Sequence, residues 1–253
     1  MTAEPFSLRG RTALVTGARR GIGAAIAAGY AAAGAELILM ARDAALEDTL
    51  EAIRQNGGGE PAVVIADFAD PAAVEKAATD LAKTRRVDIL VNNAGTIRRA
   101  PAAETTTADW RQVIDVNLNS TWAVTRTIGA AMVDRRSGKI VTIASLLSFQ
   151  GGVTVPAYTA SKHAVAGLTR ALANEWGPAG VQVNAIAPGY ISTDNTTDLR
   201  ADPVREAAIR DRIPAGRWGR PEEVVGAAVF LASAAADYVN GHVLAVDGGW
   251  LAR

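Results

Sequence analysis

The stretch TALVTGARRGIG, residues 12–23, decides the fold. Its first five residues are a short apolar, β-branched run, and the glycines at 17, 21 and 23 follow at once. A strand that ends in such a turn and re-enters a helix leaves free N–H groups, and the positive end of the helix dipole, facing the turn. That is a dinucleotide-phosphate site: Gly17 permits a sharp reversal, and Gly21 and Gly23 allow close backbone approach. The spacing is GxxxGxG, with Ile22 between the last two glycines.

Outward from this turn, short apolar runs alternate with longer helical patterns. The candidate strands are 12–16, 36–40, 62–66, 88–91, 139–143, 181–186 and 242–246. The candidate helices are 21–33, 44–56, 72–85, 107–133 and 158–176, with one more near the C-terminus. Continuous apolar strands separated by helices predict an α/β, Rossmann-type doubly wound fold: one seven-stranded parallel sheet with helices on both faces. No repeat or linker divides residues 1–253, so a single dinucleotide-binding catalytic domain is expected. An arginine-rich excursion at about 189–219 is placed to cover a ligand.

Composition narrows the chemistry. The 26 basic and 26 acidic side chains cancel, which gives no electrostatic reason to expect nucleic acid or an anionic membrane as partner. The absence of cysteine excludes disulfides, thiol nucleophiles and thiolate metal sites. Two histidines and scattered carboxylates show no metal-ligand spacing, so no metal is expected. No signal-like N-terminus or bilayer-length apolar run is present, and the expectation is a cytoplasmic protein.

Nucleotide choice is read at the end of the second strand, where Ala41-Arg42 stands instead of an acidic residue. Arg42, joined by Arg19 or Arg20 from the glycine turn, favours a 2′-phosphate and hence NADP(H). Pairing of Arg42 with Asp43 or Glu47 would leave NAD(H) acceptable. Asp67 is a candidate for the adenine amino group, with Phe68 supplying a backbone contact. Asn93, Ala94 and Gly95 offer small residues against which a cofactor can lie.

Tyr158 and Lys162 stand four residues apart on one helical face. A lysine ammonium and a positive nicotinamide are expected to lower the tyrosine pKa, as proton transfer to or from a carbonyl oxygen requires. Ser145, just past the fifth strand, can orient the substrate oxygen, and Ser148 is a second candidate. Asn117, in the middle of a helical pattern where asparagine is a poor former, suggests a polar contact, such as a water leading towards Lys162.

TGxxxGIG, NNAG, Asn117, Ser145 and the Tyr158/Lys162 pair occur together and in order. On them the chain resembles the short-chain dehydrogenase/reductase family over essentially its whole length. The resemblance implies that Asn117, Ser145, Tyr158 and Lys162 form a catalytic tetrad and that Lys162 binds the nicotinamide ribose. It also implies that, after Pro188 and Gly189, Ile191 meets the carboxamide and Thr193 covers the pyrophosphate. A homotetramer is implied as well, in which Trp250 and Leu251 would be buried by a neighbouring subunit.

Segments such as NNAGTIRR, IASLLSFQGG and NAIAPGYISTDNT look like the subgroup acting on 2-deoxy-D-gluconate at carbon 3 or 2-dehydro-3-deoxy-D-gluconate at carbon 5. The implied substrate is a deoxy-keto sugar acid. Its carboxylate needs a cation, for which Arg98, Arg99 and Arg217 are candidates, and Gln150 could hold a hydroxyl. That subgroup is usually associated with NAD, which the Arg42 reading opposes. The alternatives are a 3-oxoacyl-carrier-protein or other ketone reductase, and a non-catalytic dinucleotide-binding sensor.

Replacing Tyr158 by Phe separates enzyme from sensor. Dinucleotide binding, followed by nicotinamide fluorescence, is expected to persist while turnover disappears; unchanged turnover would remove Tyr158 from the chemistry.

Overall fold

The computed structural model describes residues 4–253. Seven strands form one parallel sheet: β1 (Thr12–Thr16), β2 (Glu36–Ala41), β3 (Ala62–Ile65), β4 (Ile89–Asn92), β5 (Gly138–Ile143), β6 (Val181–Pro188) and β7 (Val243–Val246). Their order is β3-β2-β1-β4-β5-β6-β7. The chain therefore winds one way from β1 to β3 and the other way from β4 to β7. The reversal between β1 and β4 opens a crevice at their carboxyl ends, where open α/β sheets bind ligands.

Alternation along each strand explains why both sheet faces are covered. Val15, Leu37 and Leu39 point into one core with Ile26 and Tyr30 of α1 (Gly21–Ala32), Ile53 of α2 (Glu47–Gln55) and Val224 and Ala228 of α9 (Glu222–Ala232). Leu14, Ile38 and Met40 point into the other. There they meet Val74 and Ala78 of α3 (Pro71–Thr84), Val124 and Ile128 of α5 (Ser120–Asp134) and Leu172 of α6 (Pro156–Trp176). No helix among the described residues is long and apolar enough to cross a membrane.

The expected strands lie within two residues of the observed ones at each end, and the helix starts differ for identifiable reasons. Pro156 occupies the first turn of α6 and starts it two residues early. Asp70 caps α3 through the N–H groups of Ala72 and Ala73. At α2 the start is later than expected, because the Asp43 carboxylate holds the Ala45 N–H in a local turn.

The one substantial departure is the helix expected over 107–133. It is α4 (Thr107–Ile114), then a π-turn over Asp115–Asn119, then α5, with the Ser120 N–H reaching the Asp115 carbonyl. Asn117 sits inside that turn and is 1% exposed.

Between β6 and α9, α7 (Thr197–Ala201) and α8 (Pro203–Arg212) form the excursion. Its base is closed by a bridge between Ile191 and Gly219: the Ser192 N–H donates to the Gly219 carbonyl, and the Gly219 N–H to that of Tyr190.

Trp250 corrects an expectation. It is 4% exposed within this single chain, packed with Leu146, Ile209 and Ile213 and 4.7 Å from the Tyr190 ring. No neighbouring subunit is needed to bury it. Leu251 is partly buried against the same cluster. The other helical tryptophans differ: Trp176 packs into the core, whereas Trp110 and Trp122 are 41% and 40% exposed.

Trp176 anchors the end of α6 against α5 at Gly129. A Cβ on Gly129 would lie 2.4 Å from the indole. Gly129→Ala is expected to lower stability by about 1–3 kcal/mol through overpacking, measured by chemical denaturation. No loss would mean that Trp176 has room to shift.

Candidate active site

The crevice is a groove of about 480 Å³, running from the glycine turn past the ends of β2 and β3 to α6. The turn conforms to its sequence. Gly17 has φ +64, and a Cβ there would stand 2.7 Å from Ala94 Cα; a Cβ on Gly23 would stand 2.3 Å from Asn93 Nδ2. Thr16 Oγ1 accepts from the N–H groups of Asn93 and Ala94, at 3.0 and 3.1 Å. Asn93 Nδ2 returns bonds to the carbonyls of Thr16 and Gly17. The asparagine therefore locks β4 to the glycine turn. Its neighbour Asn92 donates to Thr125 and Thr142 and so ties β4 to α5 and β5.

At α1, as at α2, α6 and α9, no side chain caps the N-terminus, and no acidic residue lies in the first turn of α1. Its free N–H groups and positive dipole end face the groove at Gly21 and Ile22, as a pyrophosphate requires.

Arg19, Arg20, Arg42, Asp67, Phe68, Asn93, Ala94 and Gly95 also line the groove, with Tyr158, Lys162, Pro188, Gly189, Ile191 and Thr193 at its far side. Gly23 lies beneath the turn, outside the lining. Asp43 follows Arg42 at the end of β2 and serves more than that one arginine. Its carboxylate is 2.9 Å from Arg19 and 3.6 Å from Arg42, so it draws two arginines to the end of β2. Arg20 pairs instead with Asp194, across the groove on the excursion.

Tyr158 and Lys162 stand one turn apart in the first turns of α6, with the Lys162 ammonium 5.5 Å from the phenol ring centre. Lys162 Nζ donates to the Ile143 carbonyl at the end of β5, at 2.6 Å. Burial pushes its pKa down to about 8. Tyr158 departs from expectation: burial raises its pKa above the usual tyrosine value. A hydrogen bond from Ser145 and the charge of Arg99 oppose that rise. In the protein alone desolvation outweighs the cations, so the phenol is held as an acid at neutral pH.

Ser148 is removed from contention, because its hydroxyl donates to the Lys162 carbonyl at 2.7 Å. Ser145 accepts only from the Leu147 N–H and keeps its proton for a neighbour.

Asn117 makes no bond to Lys162. Its Oδ1 accepts from the Thr96 N–H at 2.8 Å, while its Nδ2 donates to the Thr96 carbonyl and to Ser161 Oγ. Ser161 in turn donates to the Tyr158 carbonyl. Ser161 escaped the sequence reading, although it adjoins Lys162; nothing in its local pattern marks it.

The proposed substrate contacts separate. Arg217 makes a two-point ion pair with Glu223, at 2.8 and 2.6 Å, outside the groove lining. Arg98 bonds to Gln112 and lies 3.8 Å from Asp109. Gln150 accepts from the Trp250 indole N–H. Arg99 contacts the Asn195 carbonyl and has no carboxylate partner among the described residues.

A family model described as enoyl-(acyl carrier protein) reductase matches residues 17–251. With the uncapped glycine turn, the switch-point groove and the Ser145/Tyr158/Lys162 cluster, this shows that the chain belongs to the short-chain dehydrogenase/reductase family. A 2-dehydro-3-deoxy-D-gluconate 5-dehydrogenase of Bacillus subtilis is 54% identical over 250 residues, covering 99% of this chain and 98% of the relative. Among solved structures, one from Beutenbergia cavernae is provisionally assigned as an NAD(P)-dependent gluconate 5-dehydrogenase. It holds NADP at low occupancy and is 59% identical, with TM-score 0.96 over 99% of this chain and 100% of its own. Another, from Agrobacterium tumefaciens, is provisionally assigned as a 2-deoxy-D-gluconate 3-dehydrogenase and holds NADP. It is 57% identical, with TM-score 0.93 over 99% of this chain and 100% of its own.

The raised Tyr158 pKa fixes the sign of a pH test. Alcohol oxidation needs the phenolate as base, so its kcat/KM is expected to climb by about tenfold per pH unit from pH 7 towards 9. Carbonyl reduction needs the phenol and should stay level over that range. A level oxidation profile would take Tyr158 out of the proton-transfer step.

Proposed function

We propose that this enzyme interconverts a secondary alcohol and ketone of a six-carbon deoxy-keto sugar acid, with NADP(H) as the favoured nucleotide. The observation that carries this is the convergence of Tyr158, Ser145 and Lys162 beside a groove that the uncapped end of α1 opens to phosphate. The relatives' names supply the substrate class.

The nicotinamide, when bound, accepts or delivers the hydride. Arg19, Gly21, Ile22 and Arg42 hold the phosphate-bearing half of the nucleotide, Asp67 and Phe68 the adenine, and Lys162, Ile191 and Thr193 the nicotinamide half. Ser145 donates a hydrogen bond to the substrate oxygen and so fixes it beside Tyr158. Tyr158 takes the hydroxyl proton in oxidation and returns it in reduction. Lys162 contributes a positive charge under the phenol that favours the phenolate as it forms. Asn117 fixes the backbone on both sides of this pair. The excursion at about 189–219 covers the bound ligands in one 253-residue catalytic domain.

The nucleotide preference rests on charge. Arg19 and Arg42 outnumber the single Asp43 carboxylate at the end of β2, and a 2′-phosphate is attracted by the surplus. The acyl-carrier reading has no docking patch in its favour, and a sensor would have no use for an intact acid/base pair. A cytoplasmic homotetramer completes the proposal; exposed Trp110 and Trp122, at 41% and 40%, support an association surface.

Initial rates with 2-deoxy-D-gluconate and 2-dehydro-3-deoxy-D-gluconate, each with NAD and NADP, test the reading. Turnover with the keto acid is expected, fastest with NADP, and Arg42→Asp should move the preference towards NAD. No turnover in protein that still binds a dinucleotide would remove the sugar-acid assignment and leave the family intact.

A further inference from the structure

A second cavity, of about 360 Å³, lies at the opposite end of the strands from the groove. It opens where the last turns of α3 and α5 meet the chain entering β4. Val87 and Asp88 precede β4 and Arg135 precedes β5, which places the cavity at the amino ends of the strands. The groove lies at their carboxyl ends, out of reach of a group bound here.

The charged lining is of one sign. Lys83, Arg85, Arg86 and Arg135 line the cavity beside Val87 and Ile128, and no carboxylate does. Two of these cations are answered nearby: Arg86 by Asp88 at 2.7 Å, and Lys83 by Asp80 at 3.5 Å, a carboxylate shared with Lys76. Among the described residues, neither Arg85 nor Arg135 has a carboxylate partner, and the Arg85 side chain makes no hydrogen bond. Arg135 Nη2 donates to the Val87 carbonyl, while its buried Nε has no partner, so the protein meets only part of its donor capacity. Burial lowers the Arg135 pKa, and Arg86 adds to that fall against the opposing charge of Asp88.

Basic residues at these positions would ordinarily answer the negative ends of α3 and α5. At α3 that task falls to Thr84, whose hydroxyl donates to the carbonyls of Asp80 and Leu81. At α5, Arg135 reaches Val87, outside its own helix. The cations are surplus to the fold, and they stand beside apolar Val87 and Ile128, where charge pairing is worth more than in open water.

We propose that this cavity binds a small oxyanion carrying two or more negative charges, held chiefly by Arg85 and Arg135, and that the anion braces α3 against α5. The volume admits a phosphate ester, a pyrophosphate or a tricarboxylate. The site is separate from the nucleotide groove and independent of the substrate assignment.

Thermal unfolding of the wild type, Arg85→Gln and Arg135→Gln, with pyrophosphate or citrate at matched ionic strength, tests this. Neither variant touches the glycine turn, so any anion bound in the groove contributes equally to all three proteins. The wild type is expected to gain about 2–4 °C in Tm at saturating anion. Both variants should lose most of that gain while keeping wild-type kcat and KM in the absence of anion. The larger of the two shifts tells a phosphate ligand from a carboxylate one. Arg135→Gln also removes the Val87 contact, whereas Arg85→Gln removes charge alone and carries the test by itself. No gain in the wild type, or a gain in Arg85→Gln equal to that of the wild type, overturns the proposal.

Discussion

The Asn117 side chain holds three separate segments in register. Through Thr96 it fixes the loop after β4, which carries Arg99. Through Ser161 it reaches the Tyr158 carbonyl and thus the first turn of α6. An α-helix that ran straight from 107 to 133 would carry residue 117 at a different angle. The extra residue in the π-turn reorients it into the protein, and irregular turns of this kind are frequent at functional sites. The irregularity is what the site is built on. A buried amide with all its bonds made stiffens its surroundings, whereas truncating it would free the half-buried Thr96 backbone from α6.

The electrostatics of the site follow from that fixed geometry. Burial opposes charge on both Tyr158 and Lys162, raising one pKa and lowering the other. The two values therefore move apart: Lys162 falls to about 8 while Tyr158 rises above its usual value, so the phenol keeps its proton at neutral pH. Beyond the charge proposed for Lys162, Ser145 and Arg99 are the groups of the protein that oppose the rise at Tyr158. Ser145 is free for this because Ser148 has taken the structural task of binding the Lys162 carbonyl.

How far the sequence carries depends on the range over which each residue acts. Strands β1 to β7 are legible because continuous apolar runs between helical patterns are local signals, and so is the turn at Gly17, Gly21 and Gly23. Tyr158, Lys162 and Ser145 could be placed by spacing and by position at strand ends. Asn117 was marked as anomalous, but its partners Thr96 and Ser161 lie 21 and 44 residues away, beyond any local pattern. Trp250 suggests a subunit contact in sequence, because nothing near the C-terminus shows that Tyr190 and Ile213 will pack on it. The arginines were hardest, since Arg98, Arg99 and Arg217 look equivalent in sequence. Only the folded positions of Asp109 and Glu223 tell them apart.

Specificity within such a fold follows from that difference in surroundings. In the proposed reaction Tyr158, Lys162 and Ser145 act at the reacting carbon and oxygen whatever the rest of the substrate, so these residues cannot tell a sugar acid from a polyol. Discrimination must come from groups outside the reacting centre, on backbone rigid enough to make a charge pairing worth more than its solvation. The loop after β4 and the excursion after β6 meet this condition differently. The first is pinned by Asn117 and Thr154; the second is closed at its base by Ile191 and Gly219 and weighted by the Tyr190, Trp218 and Trp250 rings. The Arg99 guanidinium joins the two segments through the Asn195 carbonyl of the excursion, so the walls of the cleft are tied to each other as well as to the core.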